Sequence, residues 1–154
     1  MSKELQQGDR APDFTLASTS GEDITLSSLF GKRVVLYFYP KDMTPGCTTE
    51  AHEFSALAKK FSAQGTLVFG ISPDTIESHN KFIAKEEITF PLLADVGHKI
   101  ADKYGVWVEK SMYGKKYMGV ERATFVIDQE GKLETIYRKV KAVGHAACVL
   151  EDLR

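Results

Sequence analysis

The chain is short of cysteine, tryptophan and net charge, and it lacks any long apolar run. Only two cysteines and one tryptophan occur in 154 residues. Two thiols far apart in sequence, Cys47 and Cys148, do not make the disulfide framework of a small secreted domain, and they suit a reducing compartment with at least one reactive thiol. No stretch approaches the roughly 20 apolar residues of a membrane span, and the opening MSKELQQGDRAPDF has no apolar core of signal-peptide length. A cytoplasmic protein without membrane contact is expected. Lys plus Arg number 20 against 21 Asp plus Glu, a formal charge of −1, so there is no reservoir of positive charge for nucleic acid. The short basic groups at Lys110, Lys115, Lys116 and at Arg138, Lys139, Lys141 read as solvated faces.

What is present suits one globular domain spanning residues 1–154. Hydrophobic residues make up 43% and charged residues 27%, the usual balance for a chain that buries a core without staples. Met1 to Pro12 reads as a polar lead-in lying on the surface. Phe14, Leu16, Ile24, Leu26 and Leu29 alternate with polar residues around Ser20-Gly21, the pattern of a small hairpin at one edge of a sheet. Val34 to Tyr39 is a near-continuous apolar run, expected of a central strand covered on both faces.

From Thr44 to about Gln64, Ala51, Phe54, Ala58 and Phe61 recur at helical spacing, with Cys47 on the same stripe. Gly65 is placed to close that helix and Thr66 to Ser72 to form a second buried strand, so the segment is a βαβ unit with parallel strands. A helix from Pro73-Asp74-Thr75 turns Phe82 and Ile83 inward. Phe90 to Ala94 carries Pro91 and is expected to be an extended segment or an edge strand, not a central one. After a brief helix at Lys99 to Tyr104, Val106 to Val108 and Ser111 to Met118 read as extended chain broken by Gly114 and Gly119, a flap. Ala123 to Ile127 and Leu133 to Arg138 form the clearest hairpin. The last helix starts near Gly144, with Ala146, Val149, Leu150 and Leu153 on one face and Cys148 on the other. The element order predicts an α/β sandwich of thioredoxin-like fold with an N-terminal extension, a central mixed β-sheet flanked by helices.

The strand ending at Pro40, followed by Thr44-Pro45-Gly46-Cys47, places a thiol in the first turn of a helix. Thr44 is suited to the N-cap and Pro45 to the first helical position. The backbone N–H groups of Gly46 and Cys47 then lie among the unpaired donors at the positive end of the macrodipole, which favours thiolate over thiol.

Pro40-Lys41-Asp42-Met43-Thr44-Pro45-Gly46-Cys47 resembles the Pro-x-x-x-Thr-x-x-Cys motif of the peroxiredoxins. The wider YFYPKDMTPGCTTEA, YGKKYMGVERATFVID and GHAACVLEDL, in that order, resemble the bacterioferritin-comigratory or Q-type subfamily over most of the chain. The resemblance implies a thiol peroxidase acting on hydrogen peroxide and organic hydroperoxides, with no cofactor or metal. It makes Cys47 the peroxidatic nucleophile, Thr44 a ligand of the peroxide, Pro40 a shield of the thiolate, and Arg122 a distant cation. Glu50 would orient the site by binding the arginine region, although a carboxylate one turn after Cys47 by itself disfavours a thiolate. Each residue alone also has a plain reading: cap, strand terminator, surface charge or buried small residue.

Many Q-type members carry a resolving cysteine five residues after the first, where this chain has His52. A one-cysteine cycle is therefore expected, with an external thiol such as thioredoxin, glutaredoxin or glutathione as reductant. Cys148 is then incidental or intermolecular, and the protein a monomer or weak dimer. His52 itself reads as a solvated helix residue.

Other chemistries fit less well. A thioredoxin-type oxidoreductase needs a second thiol at position 50, where Glu stands, and a cysteine phosphatase needs an arginine where Glu53 stands. A Cys-His hydrolase using His52, His79, His98 or His145 has no local signature, and a zinc site from Cys47 and His52 lacks partners. A redox-sensing or chaperone-like binding protein with stoichiometric Cys47 oxidation is the alternative from another class.

Overall fold

The structure, a computed structural model, describes residues 4–153. The expected lead-in from Met1 and the run of the last helix to the terminus thus extend, at residues 1–3 and 154, outside the described residues. Strand β3 (Arg33–Phe38) is the axis of the fold. Its alternate side chains face opposite ways: Val34, Leu36 and Phe38 enter one apolar cluster, and Val35 and Tyr37 enter the other, together with Tyr39 just beyond the strand. Two buried faces explain why the run is almost continuously apolar.

β3 pairs in parallel with β4 (Thr66–Ser72) and antiparallel with β8 (Ala123–Ile127). With β1 (Thr15–Ser18), β2 (Ile24–Thr25), β5 (Leu92–Ala94) and β9 (Leu133–Tyr137), they form a seven-stranded mixed sheet of order β2-β1-β5-β4-β3-β8-β9. The N-terminal hairpin lies at one edge as expected, although Leu26–Leu29 coils into a 3₁₀ turn instead of continuing the strand. The expectation that Phe90 to Ala94 lies at an edge is corrected. β5 is internal, between β1 and β4. Pro91 falls one residue before the strand, so its missing N–H interrupts no ladder bond, and its carbonyl accepts from Gly70.

One face of the sheet carries α1 (Pro45–Ala56), α2 (Ala58–Ala63), α3 (Ile76–Glu86) and α5 (His145–Asp152); residues of α4 (Lys99–Lys103) join the cluster on the other. The single helix expected over Thr44 to Gln64 is two, broken at Leu57, whose φ of −101° and ψ of 3° leave the helical region. The break lets Phe54 and Phe61 meet, their ring centroids 5.8 Å apart. Phe54 also stacks on Tyr37 at 4.6 Å, and full burial of one such side chain contributes on the order of 2–3 kcal/mol.

Gly65, at a φ of +66°, follows α2 in the left-handed conformation that a helix C′ residue adopts. The lead-in is less superficial than its polarity suggested: Ala11 is buried, and Gly8 and Ala11 donate to Leu133 and Gly131. The expected broken flap is a regular two-stranded hairpin of β6 (Trp107–Met112) and β7 (Lys115–Val120), with Gly119 inside β7. Tyr113 and Gly114 turn it with φ of 53° and 79°, the positive pair of a tight hairpin turn. Among the described residues no helix is long and apolar enough to cross a membrane.

Candidate active site

Where β3 ends, the chain leaves the sheet at half-buried Pro40 and re-enters regular structure at α1. Met43 takes a φ of 64°, a left-handed conformation uncommon for a side chain with a Cβ. Thr44 stands at the N-cap with Pro45 at the start of the helix, as the sequence predicts. Its hydroxyl does not cap, which is a correction. It donates to the Lys41 carbonyl at 2.9 Å, so the first turn of α1 has no side-chain cap. Cys47 lies in that turn, 1% exposed, within the cluster formed by Tyr37, Tyr39, Ala51 and Phe54. Its orientation toward protein agrees with the helical stripe.

Arg122 reaches this sulfur from far along the chain. It sits in the two-residue link between β7 and β8, where Glu121 donates to the Val106 carbonyl and Val140 donates to that of Arg122. Its Nη2 donates to Cys47 Sγ at 3.2 Å, and its Nη1 donates to Glu50 Oε1 at 2.6 Å. One guanidinium thereby spans the thiol and the carboxylate. A Cβ at position 46 would stand 3.1 Å from Nη2, so Gly46 leaves the room that the guanidinium occupies.

Glu50 is fully buried, and its second oxygen has no hydrogen-bond partner among the described residues. Burial pushes its carboxyl up, Arg122 only partly offsets this, and Glu53 adds to it, so the group titrates at about 7. For Arg122 the balance is reversed. Burial opposes its charge, but Glu50 and Cys47 outweigh burial and hold the guanidinium above its ordinary value. Half-buried Lys110 on β6 is lowered by burial and then by Arg122, while Cys47 and Glu121 pull it back.

The four histidines divide clearly. Exposed His52 contacts Glu86 at 2.9 Å, across from α1 to α3. His98 stacks on Trp107 at 3.7 Å. His145 opens α5, with Nε2 2.7 Å from the Thr124 hydroxyl; burial and then Arg122 push its imidazole down to about 4. His79 is buried against Asp42. Among the described residues, the side-chain hydrogen-bond partner of Cys47 is Arg122.

The structure thus brings together Cys47, Glu50 and Arg122, and puts Thr44 and Pro40 on the loop that leads to them. Sequence reasoning named Gly46 only for its backbone N–H and not for the room it leaves Arg122, did not place Asp42 or His145 beside the site, and gave His79 no structural place. His79 did carry a signal, since it precedes Phe82 and Ile83 by three and four residues and so falls on the inward stripe of α3.

Residues 7–136 match the AhpC/TSA family. Peroxiredoxin Bcp of Bacillus subtilis is 47% identical over 150 residues, 97% of this chain and 96% of that protein. Peroxiredoxin Bcp of Escherichia coli is 41% identical over 97% of this chain and 96% of its own length. A cysteine-to-serine variant of Xylella fastidiosa PrxQ superposes with a TM-score of 0.93 at 36% identity, over 99% of this chain and 97% of that one. The Xanthomonas campestris bacterioferritin comigratory protein, whose trapped intermediate and ligand complex structures concern alkyl peroxide reduction, gives a TM-score of 0.86 at 42% identity over 91% and 89%. The fold is the thioredoxin-like one that the element order predicts, and the chain belongs to the AhpC/TSA family as a peroxiredoxin of the Bcp or Q type.

Proposed function

We propose that Cys47 is the peroxidatic nucleophile of this thiol peroxidase and that its cycle uses one cysteine of the chain. The observation that carries the reading is the guanidinium of Arg122 spanning Sγ and Glu50. Sγ attacks one peroxide oxygen, an S–O bond forms as the O–O bond breaks, and the departing oxygen takes a proton to leave as water or an alcohol. Sulfur is oxidised by two electrons to sulfenic acid. Negative charge passes from sulfur to the departing oxygen, and a fixed N–H donor with a full positive charge stabilises it at both ends.

Thr44 has a complementary part. Because its hydroxyl hydrogen is committed to the Lys41 carbonyl, its oxygen is free to accept a hydrogen bond from the hydroperoxide. Pro40, half-buried and without an N–H, shields the sulfur from water. Glu50 holds Arg122 in register, and at its buried site it does so without the full charge below about pH 7. Hydrogen peroxide and organic hydroperoxides are the substrates.

The reductive half falls to an external thiol. Cys148 is exposed on α5, and residual burial followed by the Asp152 and Glu151 carboxylates raises its thiol above the ordinary value, which disfavours it as an attacking thiolate. A donor of the thioredoxin, glutaredoxin or glutathione class attacks the sulfenic sulfur. The S–O bond breaks, water leaves, and a mixed disulfide forms; a second donor thiol releases Cys47 and carries away the disulfide. One chain supplies Cys47, Glu50 and Arg122, so a monomer or weak dimer suffices, and two free thiols suit the cytoplasm. The test is peroxide consumption with a dithiol donor in excess. Many turnovers by the wild type and none by Cys47→Ser are expected. A single equivalent consumed without recycling by any donor would refute the reading and favour a sensor.

A further inference from the structure

A polar cluster that the peroxide chemistry leaves unused is buried between the Pro40–Thr44 loop and the first turn of α3. Asp42 is 5% exposed and His79 0%. The Tyr39 hydroxyl donates to Asp42 Oδ1 at 2.6 Å, and the Ser78 hydroxyl donates to Oδ2 at 2.7 Å. His79 Nδ1 stands 2.8 Å from the same Oδ2, and its Nε2 stands 2.9 Å from the Leu93 carbonyl. The Asp42 backbone N–H donates to Asp74 Oδ2 at 2.8 Å, which also receives the Ser72 hydroxyl.

Asp42, Asp74 and His79 have ligand-type atoms within 4.8 Å of one another, but protein hydrogen bonds already engage them. The cluster is closed by its own hydrogen bonds and is read as such. A carbonyl oxygen only accepts, so Nε2 carries a hydrogen. One further proton lies between Nδ1 and Oδ2. Burial works to raise the Asp42 carboxyl, yet the bonds from His79, Tyr39 and Ser78 outweigh it and hold the group below its ordinary value. The Asp42–His79 contact is a hydrogen bond closed within the core.

Its place in the chain gives this pair leverage. Asp42 precedes Met43, whose left-handed backbone turns the chain into Thr44 and α1. No side chain caps that helix start, so α3 grips the loop through Asp42. The grip matters twice in one cycle. Sγ must stay beside Arg122 to meet peroxide, whereas a thiol sulfur must later come within about 2 Å of it to form the mixed disulfide. At 1% exposure Cys47 meets no macromolecular thiol until its loop opens.

We propose that His79 is a positioning residue of the peroxidase: through Asp42 it latches the Cys47 loop onto α3, holding Sγ beside Arg122 for peroxide and setting how often the loop opens to a thiol. This rests on Cys47 being the peroxidatic thiol.

The test is native-state alkylation of reduced Cys47 by iodoacetamide in a Cys148→Ser background, read along a urea series below the unfolding transition. Because His79→Leu alone strands a buried carboxylate, the main variant pairs His79→Leu with Asp42→Asn. Its labelling without urea should rise about tenfold or more with little urea dependence, the mark of local opening, while its single-turnover reaction with hydrogen peroxide slows. His79→Asn, which retains a donor near Nδ1, should fall between this variant and the wild type. Unchanged labelling overturns the proposal. So does labelling that rises only with the steep urea slope of global unfolding, since that makes the pair merely structural. Failure of the Cys47 reading shows elsewhere, as peroxide turnover that survives Cys47→Ser.

Discussion

Cys47 lies in the first turn of α1 with a guanidinium nitrogen 3.2 Å from its sulfur, whereas Cys148 lies within α5 with the Asp152 carboxylate as its polar neighbour, 3.9 Å away. The first is buried and faces the Arg122 cation; the second is exposed and faces carboxylates. The same residue type in the same kind of element thus meets opposite fields. Exposure by itself does not make a thiol reactive. The donor and the sign of the neighbouring charge do so, and the chain spends a buried carboxylate, Glu50, to hold that donor in place.

Removing the donor breaks the contrast most severely. Arg122→Ala should lower the second-order rate constant for hydrogen peroxide by about 10²–10³, the usual cost of losing a donor aimed at developing charge. Arg122→Lys should recover part of it, because one ammonium keeps the charge but cannot span Sγ and Oε1 as a fork does. Stopped-flow or competition kinetics on the reduced protein measures both.

A second effect sharpens the contrast through pH. Between the ordinary value of 4.5 and about 7, folded Glu50 holds a proton that the unfolded chain has released, so its contribution to stability falls as pH rises through that window. His145 runs the other way. From 6.5 down to about 4 the unfolded chain takes up a proton that the folded imidazole refuses, so stability falls as pH falls. The two largely cancel in the wild type between pH 4.5 and 6.5. Glu50→Gln should unmask His145 and leave stability rising with pH there, with a change on the order of 3 kcal/mol across the full Glu50 window. Urea unfolding at stepped pH reads it, and parallel pH profiles for the two proteins would count against a buried, proton-holding Glu50.

The smallest expected effect lies on the other side of the comparison. Cys148→Ser should leave donor-dependent turnover unchanged, since the exposed thiol faces Asp152 and Glu151 and the proposed cycle does not use it. Steady-state assays with a dithiol and with a monothiol donor would reveal a resolving role as a loss of turnover.

Much of this frame was legible because it is local. The near-continuous apolar run Val34 to Tyr39 and the helical spacing from Cys47 to Phe54 are consequences of neighbours in sequence, and the strand and helix they predict are present. Pairing order is not local. β5 was misplaced at an edge because Pro91 looked like a strand breaker, when the hairpin that covers that edge comes from the far N-terminal side of the chain. The break at Leu57 was equally hidden, since Phe54 and Phe61 fit one stripe whether or not the helix bends between them. At the site, the placement of Cys47 in the first turn of a helix was readable from a single run of residues, whereas the parts of Thr44 and Pro40 came from the family resemblance. Arg122 and Glu50 came from a family resemblance, for no spacing rule links a two-residue strand connection to a helix start far upstream. Asp42 and His79 fell between these cases: one lies within the motif and the other on an apolar stripe, and only folding joins them.

The most direct measurement is to treat the fully reduced protein with one equivalent of hydrogen peroxide, trap sulfenic acid with a dimedone-type reagent, and map the adduct by peptide mass spectrometry. The adduct should fall on Cys47 while Cys148 stays reduced. An adduct on Cys148, or equal labelling of both thiols, would contradict the claim that the Arg122 and Glu50 environment selects the reacting sulfur.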